Sequence, residues 1–139
     1  MRLDIPEHKI LVHDIGLPVY WSDMDALGHV NNAVWVRWLQ DVATAHWIAA
    51  AEPAHVEAYI WVVVRHEIDY LGNVGPGEPV TARTWVGEAP RGARFDRHVE
   101  FTGPDGRVRV RARTTWAIVD KAAGRIVRVP AEVAARFLP

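Results

Sequence analysis

The stretch from Trp21 to Asn32, WSDMDALGHVNN, gathers two carboxylates, a histidine and two asparagine amides just ahead of an apolar run. If a helix starts near Asn31, the backbone N–H groups of Gly28 to Asn32 point outward at its positive end, where they can hold a carbonyl oxygen as it gains negative charge. The same dipole favours Asp25 in its charged form, fit to act as a nucleophile or as a base for water. Gly28 removes a side chain that would obstruct approach, and His29 stands where it can orient substrate or water. Asp and Asn before a helix are also what capping prefers, so residue types alone leave catalysis and capping both open. A metal held by Asp23, Asp25 and His29 is chemically possible, but their spacing matches no established ligand signature, and no metal is expected.

Other chemistries lack their residues. Ser22 is the sole serine and has no G-x-S-x-G elbow. Neither a P-loop, a G-x-G-x-x-G fingerprint nor an H-E-x-x-H pair occurs. Cysteine is absent, which removes thiolate ligands, disulfides and a Cys nucleophile.

The elements that must position Asp25 follow from periodicity. Lys9 to Trp21 reads as an imperfect strand, interrupted by Gly16 and Pro18. From about Asn31, Val34, Trp35, Trp38, Leu39, Val42, Ala45 and Ala49 share one helical face, with Arg37, Gln40, Asp41 and Thr44 opposite. Glu52-Pro53 ends that helix, and a loop is expected after it. Four strands follow, Trp61 to Leu71, Val80 to Val86, Arg94 to Phe101 and Arg107 to Val119, the last two joined by the tight turn Gly103-Pro104-Asp105-Gly106. In the fourth, Val108, Val110, Ala112, Thr114, Trp116 and Ile118 alternate with Arg107, Arg109, Arg111 and Arg113, so the arginines read as a wetted face. A short helix is expected from about Pro130. His66, on a strand face with Val62, Val64, Ile68 and Tyr70, reads as a hydrogen-bonded histidine beneath the sheet. One long helix and a run of meandering strands predict an α+β domain, the helix buried against a curved antiparallel sheet. The sheet's open edge and convex face predict association with a copy of the chain.

The whole sequence, residues 1–139, is the size of one domain, half apolar and a quarter charged. A net charge of −1 gives no bulk attraction to nucleic acid or anionic lipid. Nothing reads as a membrane span or a secretory signal, so a cytoplasmic location is expected.

The segment Asp23-Met24-Asp25-Ala26-Leu27-Gly28, continued by His29-Val30-Asn31-Asn32, resembles the D-x-D-x-x-G motif of hotdog-fold acyl thioesterases of the 4-hydroxybenzoyl-CoA thioesterase type. The likeness extends along nearly the whole chain, through VRHEIDYLGNVGPGEPV (Val64 to Val80) and TWAIVDKAAGRIVRVP (Thr115 to Pro130). It implies a single hotdog domain, with a curved antiparallel sheet of about five strands wrapped around one long central helix. It further implies hydrolysis of an acyl-CoA thioester to acid and thiol without a cofactor, in a homodimer or homotetramer. Asp25 takes the place of the catalytic carboxylate, the Asn32 backbone N–H that of the group polarising the thioester carbonyl, and Asp23 becomes a turn former. His29 matches, whereas Leu27 stands where plant acyl-ACP members carry Asn. Trp35 replaces a common Tyr, which bears on the shape of the acyl pocket. Arg91 and Arg94 fall about where relatives place basic residues toward the CoA nucleotide. An acyl-ACP thioesterase and a non-catalytic acyl-CoA binding module remain the alternatives.

Overall fold

The computed structural model describes residues 3–16 and 23–139 of the chain. A 3-10 turn, Glu7–Lys9, precedes β1 (Leu11–Gly16). The expected first strand therefore begins two residues late, and its continuation through Pro18 to Trp21 lies outside the described residues. Then come α1 (Asn32–Ala50), α2 (Pro53–Ala58), β2 (Tyr59–Tyr70), β3 (Val80–Trp85), β4 (Arg94–Thr102), β5 (Val108–Asp120), β6 (Arg125–Ile126) and α3 (Ala131–Ala134). The loop expected after α1 is in fact a short helix, because Pro53 occupies its first turn, where a missing N–H costs nothing.

Every strand pair is antiparallel, in the order β1-β3-β4-β5-β2, with β6 paired to the end of β5. This is the hotdog arrangement, α1 lying along the concave face of the sheet. Val34, Trp35, Trp38, Leu39 and Val42 bury as the periodicity predicts, and packing on Val80, Ala82, Val99, Phe101, Val110 and Ala112 makes the main core. The buried stripe then drifts to Ala43 and His46, leaving Ala45 half-buried and Ala49 exposed. A period of 3.6 residues per turn carries the stripe around the rod over a helix this long. A second cluster, Val86, Phe95, Ile118, Val129, Val133 and Phe137, closes the other end with α3.

One irregularity changes a strand reading. Val63 pairs with Trp116 while Arg65 pairs with Thr115, so Val64 is the extra residue of a β-bulge. The bulge inverts the alternation: Trp61 and Val63 share the inner side with His66 and Ile68, while Val62 and Val64 face outward and are exposed. His66 is half-buried, its Nδ1 2.7 Å from Thr114 Oγ1, and burial lowers its proton affinity. Of the β5 arginines, Arg109 joins Asp105 and the Asn73 carbonyl, Arg111 joins Glu100 and Arg113 joins Asp96.

Candidate active site

The turn before α1 is built on Asp25. Its Oδ1 accepts from the backbone N–H of Leu27 at 2.9 Å and of His29 at 3.1 Å. Its own N–H donates to the His29 carbonyl at 2.7 Å, and Gly28 N–H donates to its carbonyl at 3.1 Å. Gly28 takes φ +73°, which an L side chain adopts poorly, while a Cβ there would meet open space. Its glycine is thus required by backbone conformation; the clearance expected from the sequence is incidental. With Oδ1 held by two amides, the exposed carboxylate presents an Oδ2 that has no hydrogen-bond partner among the described residues.

Asp23 does different work. It is buried, bonds Arg37 Nη2 at 3.0 Å through Oδ1, and its carbonyl accepts from Asn31 N–H at 2.8 Å. It therefore latches the turn to the first turns of α1. Among the described residues no three His, Asp or Glu side chains gather as metal ligands.

The helix start corrects one expectation. Of the five N–H groups from Gly28 to Asn32, four are engaged: Gly28 and His29 on Asp25, Val30 on Asn73 Oδ1 at 3.0 Å, and Asn31 on Asp23. Asn31 is the N-cap, its side chain accepting from Ala33 N–H, which leaves Asn32 as the first helical residue. Only the Asn32 N–H lacks a partner among the described residues, so an oxyanion site here rests on one amide and the helix dipole. The side chains of His29 and Asn32 are exposed.

The remaining expected residues are placed elsewhere. Trp35 is fully buried, its ring 5.1 Å from Trp38 and 5.2 Å from Phe101, so it belongs to the core and not to a substrate wall. Arg91 reaches Asp96 with two nitrogens, at 3.0 and 3.3 Å, and Arg94 is exposed. Arg94 pairs with Ala117 on β5, whereas the Asp25 turn is anchored through Asn73 beside Arg109 and Val110. From Val110 to Ala117 a strand covers roughly 23 Å, so one chain does not bring Arg91 or Arg94 to its own Asp25.

At that far end, between the C-terminal half of α1 and the sheet, lies an apolar cavity of about 270 Å³. Trp47, Ile48, Trp61, Phe95, Trp116 and Phe137 are among its walls, with Arg97. Arg97 Nη1 lies 2.7 Å from His46 Nδ1 and donates to Thr84 Oγ1 at 3.0 Å. Burial, aided by the Arg97 charge and opposed by a backbone hydrogen bond at Lys9, lowers His46 to about 3, so it is neutral and accepts from the guanidinium. Burial lowers Arg97 itself to about 10, still charged at neutral pH. Burial works to raise neighbouring Asp96, but hydrogen bonds from Arg91, Arg113 and Thr115 and the Arg113 charge outweigh it and hold the carboxyl at about 2. Sequence reading passed over Arg97, although Phe95, Arg97, Val99 and Phe101 share one strand face. A charge within that apolar register was the available signal.

His46 makes stability depend on pH. Its folded-state value lies below the ordinary 6.5, so the unfolded chain takes up a proton that the fold refuses. The contribution is complete above pH 6.5 and is lost as pH falls toward 3, with a slope of up to about 1.4 kcal/mol per pH unit. Denaturant titrations between pH 7 and 4.5 should show this decline, and His46→Asn, which keeps an acceptor for Arg97, should flatten it. Parallel profiles for the two proteins would refute the assignment.

Comparison with known proteins agrees with this architecture. No curated protein matches the sequence. Among solved structures, a predicted thioesterase from Bacillus stearothermophilus superposes with a TM-score of 0.77 at 20% identity, covering 92% of this chain and 93% of that one. A thioesterase from Thermus thermophilus, complexed with coenzyme A and zinc, gives a TM-score of 0.75 at 21% identity over 93% and 91%. An acyl-ACP thioesterase from Bacteroides thetaiotaomicron gives 0.79 at 20% identity, over 96% of this chain and 55% of that longer one. At such identities these likenesses establish the fold. The family model of the thioesterase-like superfamily matches residues 19–137, and the chain belongs to that superfamily.

Proposed function

We propose that this thioesterase hydrolyses an acyl thioester of coenzyme A, with Asp25 as nucleophile or general base and the Asn32 N–H as oxyanion donor. One observation carries the reading: a carboxylate fixed through one oxygen, its other oxygen unpartnered among the described residues, stands beside a 19-residue helix whose first N–H is likewise without a partner. Attack on the thioester carbonyl, by Oδ2 or by a water it deprotonates, puts negative charge on the carbonyl oxygen. The Asn32 amide and the helix dipole stabilise that charge. Collapse expels a thiolate, which leaves without a strong general acid. The general-base route gives the free acid at once, while on the nucleophilic route water then cleaves the acyl–Asp25 anhydride, releasing the acid and restoring the carboxylate. His29, exposed on the same turn, is placed to orient substrate or water.

The partner is a second copy of the chain. β2 is a 12-residue edge strand with Ile60, Val62, Val64 and Tyr70 exposed, an arrangement that invites strand pairing. A two-fold axis through such a sheet runs β2 antiparallel to itself. The Tyr59 end, level with the Arg94 end of β4, then lies against the Tyr70 end, level with the Asp25 turn. Pairing would thus bring Arg91, Arg94 and the apolar cavity of one subunit toward the partner subunit's Asp25, supplying basic groups for CoA phosphates. Charging the edge, as in Val62→Lys with Val64→Lys, should convert a dimer to monomer in light scattering and lower turnover more than tenfold. A monomeric wild type, or a monomeric variant with full activity, would refute the composite arrangement.

Comparing acyl-CoA with acyl-ACP at low and high salt tests the carrier. CoA as substrate predicts turnover of acyl-CoA with modest salt sensitivity, while exclusive and strongly salt-sensitive use of acyl-ACP would overturn it.

A further inference from the structure

We propose that the apolar cavity at the C-terminal half of α1 is a binding site for a carboxylate carried on an apolar body, with Arg97 as its anchor. Arg97 is only 7% exposed and has no carboxylate within ion-pair distance among the described residues. Asp96, its neighbour on β4, is occupied by Arg91, Arg113 and Thr115. A buried guanidinium left without a counter-charge is costly unless something brings one, and an anion entering the cavity does so.

The site is already shaped for that anion. Nη1 is fixed by His46 and Thr84, and the guanidinium carbon sits 5.8 Å from the Phe137 ring centroid, so the fork is held in place. Nε and Nη2 make no hydrogen bond to the described residues, the pair of donors that meets a carboxylate side-on. Trp116, another wall residue, has a buried indole N–H without an acceptor among the described residues. Thr44 and Asp96 also line the cavity, the Asp96 charge being offset by Arg91 and Arg113. The other walls are aromatic or aliphatic, with Trp47 5.6 Å from Trp61 and 6.0 Å from Phe137, centroid to centroid. A monoanion matches the single charge, and a doubly charged phosphate would lose far more hydration in such walls. The volume, about 270 Å³, is just under the usual ligand-pocket range of roughly 300–1,000 Å³, which suits a ring or a medium chain.

Two ligands share this chemistry: a free carboxylic acid, and an acyl thioester with a second carboxylate at its far end. Binding of either kind does not depend on hydrolysis. Quenching of tryptophan fluorescence by octanoate and benzoate, against the neutral octanamide and benzamide, reads it directly. The acids should bind at least tenfold tighter than the amides. Arg97→Met, which keeps volume and removes charge, should erase that preference. Thr44→Trp, at the cavity wall on α1 with Arg97 intact, should weaken acid and amide alike. Equal affinity of acid and amide for the wild type, or an undiminished preference in folded Arg97→Met, would overturn the proposal. The first comparison uses wild-type protein alone, so it decides the matter even if the Arg97 variant does not fold. Competition of octanoate by suberoyl-CoA but not by octanoyl-CoA would assign the cavity to a thioester's distal carboxylate. Competition by neither would assign it to the free acid.

Discussion

Replacing Asp25 by Asn should lower acyl-CoA hydrolysis by about two to four orders of magnitude while leaving the fold intact, the usual cost of losing a positioned base. Asparagine keeps an Oδ1 that can accept from Leu27 and His29, so the turn retains the bonds that define it. What it loses is the negative charge and the proton-accepting oxygen at Oδ2. Steady-state thiol release, with circular dichroism and thermal melting as controls, checks both halves. Asp25→Ala should lose comparable activity and also about 1 kcal/mol of stability, because two backbone donors lose their acceptor. Asp23→Asn offers a contrast: the damage should appear in stability through the Arg37 pair, with the chemistry reduced far less. Equal turnover by wild type and Asp25→Asn would remove Asp25 from the mechanism.

Trp35→Ala should destabilise the protein by about 3–5 kcal/mol, as large aromatic deletions from packed cores do. Trp35 has no exposed surface and lies between Trp38, at 88° to its ring, and Phe101 on β4. Its removal opens a void where α1 meets the sheet, beneath the first turns that carry Asn32. Its indole N–H has no acceptor among the described residues, so Trp35→Phe removes an unsatisfied donor along with some volume and should cost less than half as much. Urea titrations should show the midpoint falling for Trp35→Ala with the slope unchanged. A midpoint indistinguishable from that of wild type would contradict the core assignment.

The sequence was a good guide wherever one periodicity governed a whole element. The apolar face of α1 and the strands around Val80, Arg94 and Val108 were legible because burial on one side leaves its mark at every second or every third to fourth residue. Legibility failed where a local event broke the period. The Val64 bulge reversed the faces of β2, which no residue count detects. Pro53 reads equally as the stop of one helix and the start of the next. Asp25 was legible through its motif, but not the consumption of four of the five neighbouring amides. Asn73, far along the chain between β2 and β3, takes the Val30 N–H. Arg97 was missed for the opposite reason: arginine in a strand reads as surface, and only the fold shows it facing inward with His46 and Thr84.

Thioester hydrolysis by this chain is decided by following free thiol and free acid together. Wild-type protein is offered short, long and aryl acyl-CoAs under multiple-turnover conditions, with binding measured in parallel. Catalytic hydrolysis should give thiol and acid in equal amounts, many equivalents per chain, for at least one class of acyl group. Saturable acyl-CoA binding with no thiol release from any member of the series would contradict it and identify a binding module instead.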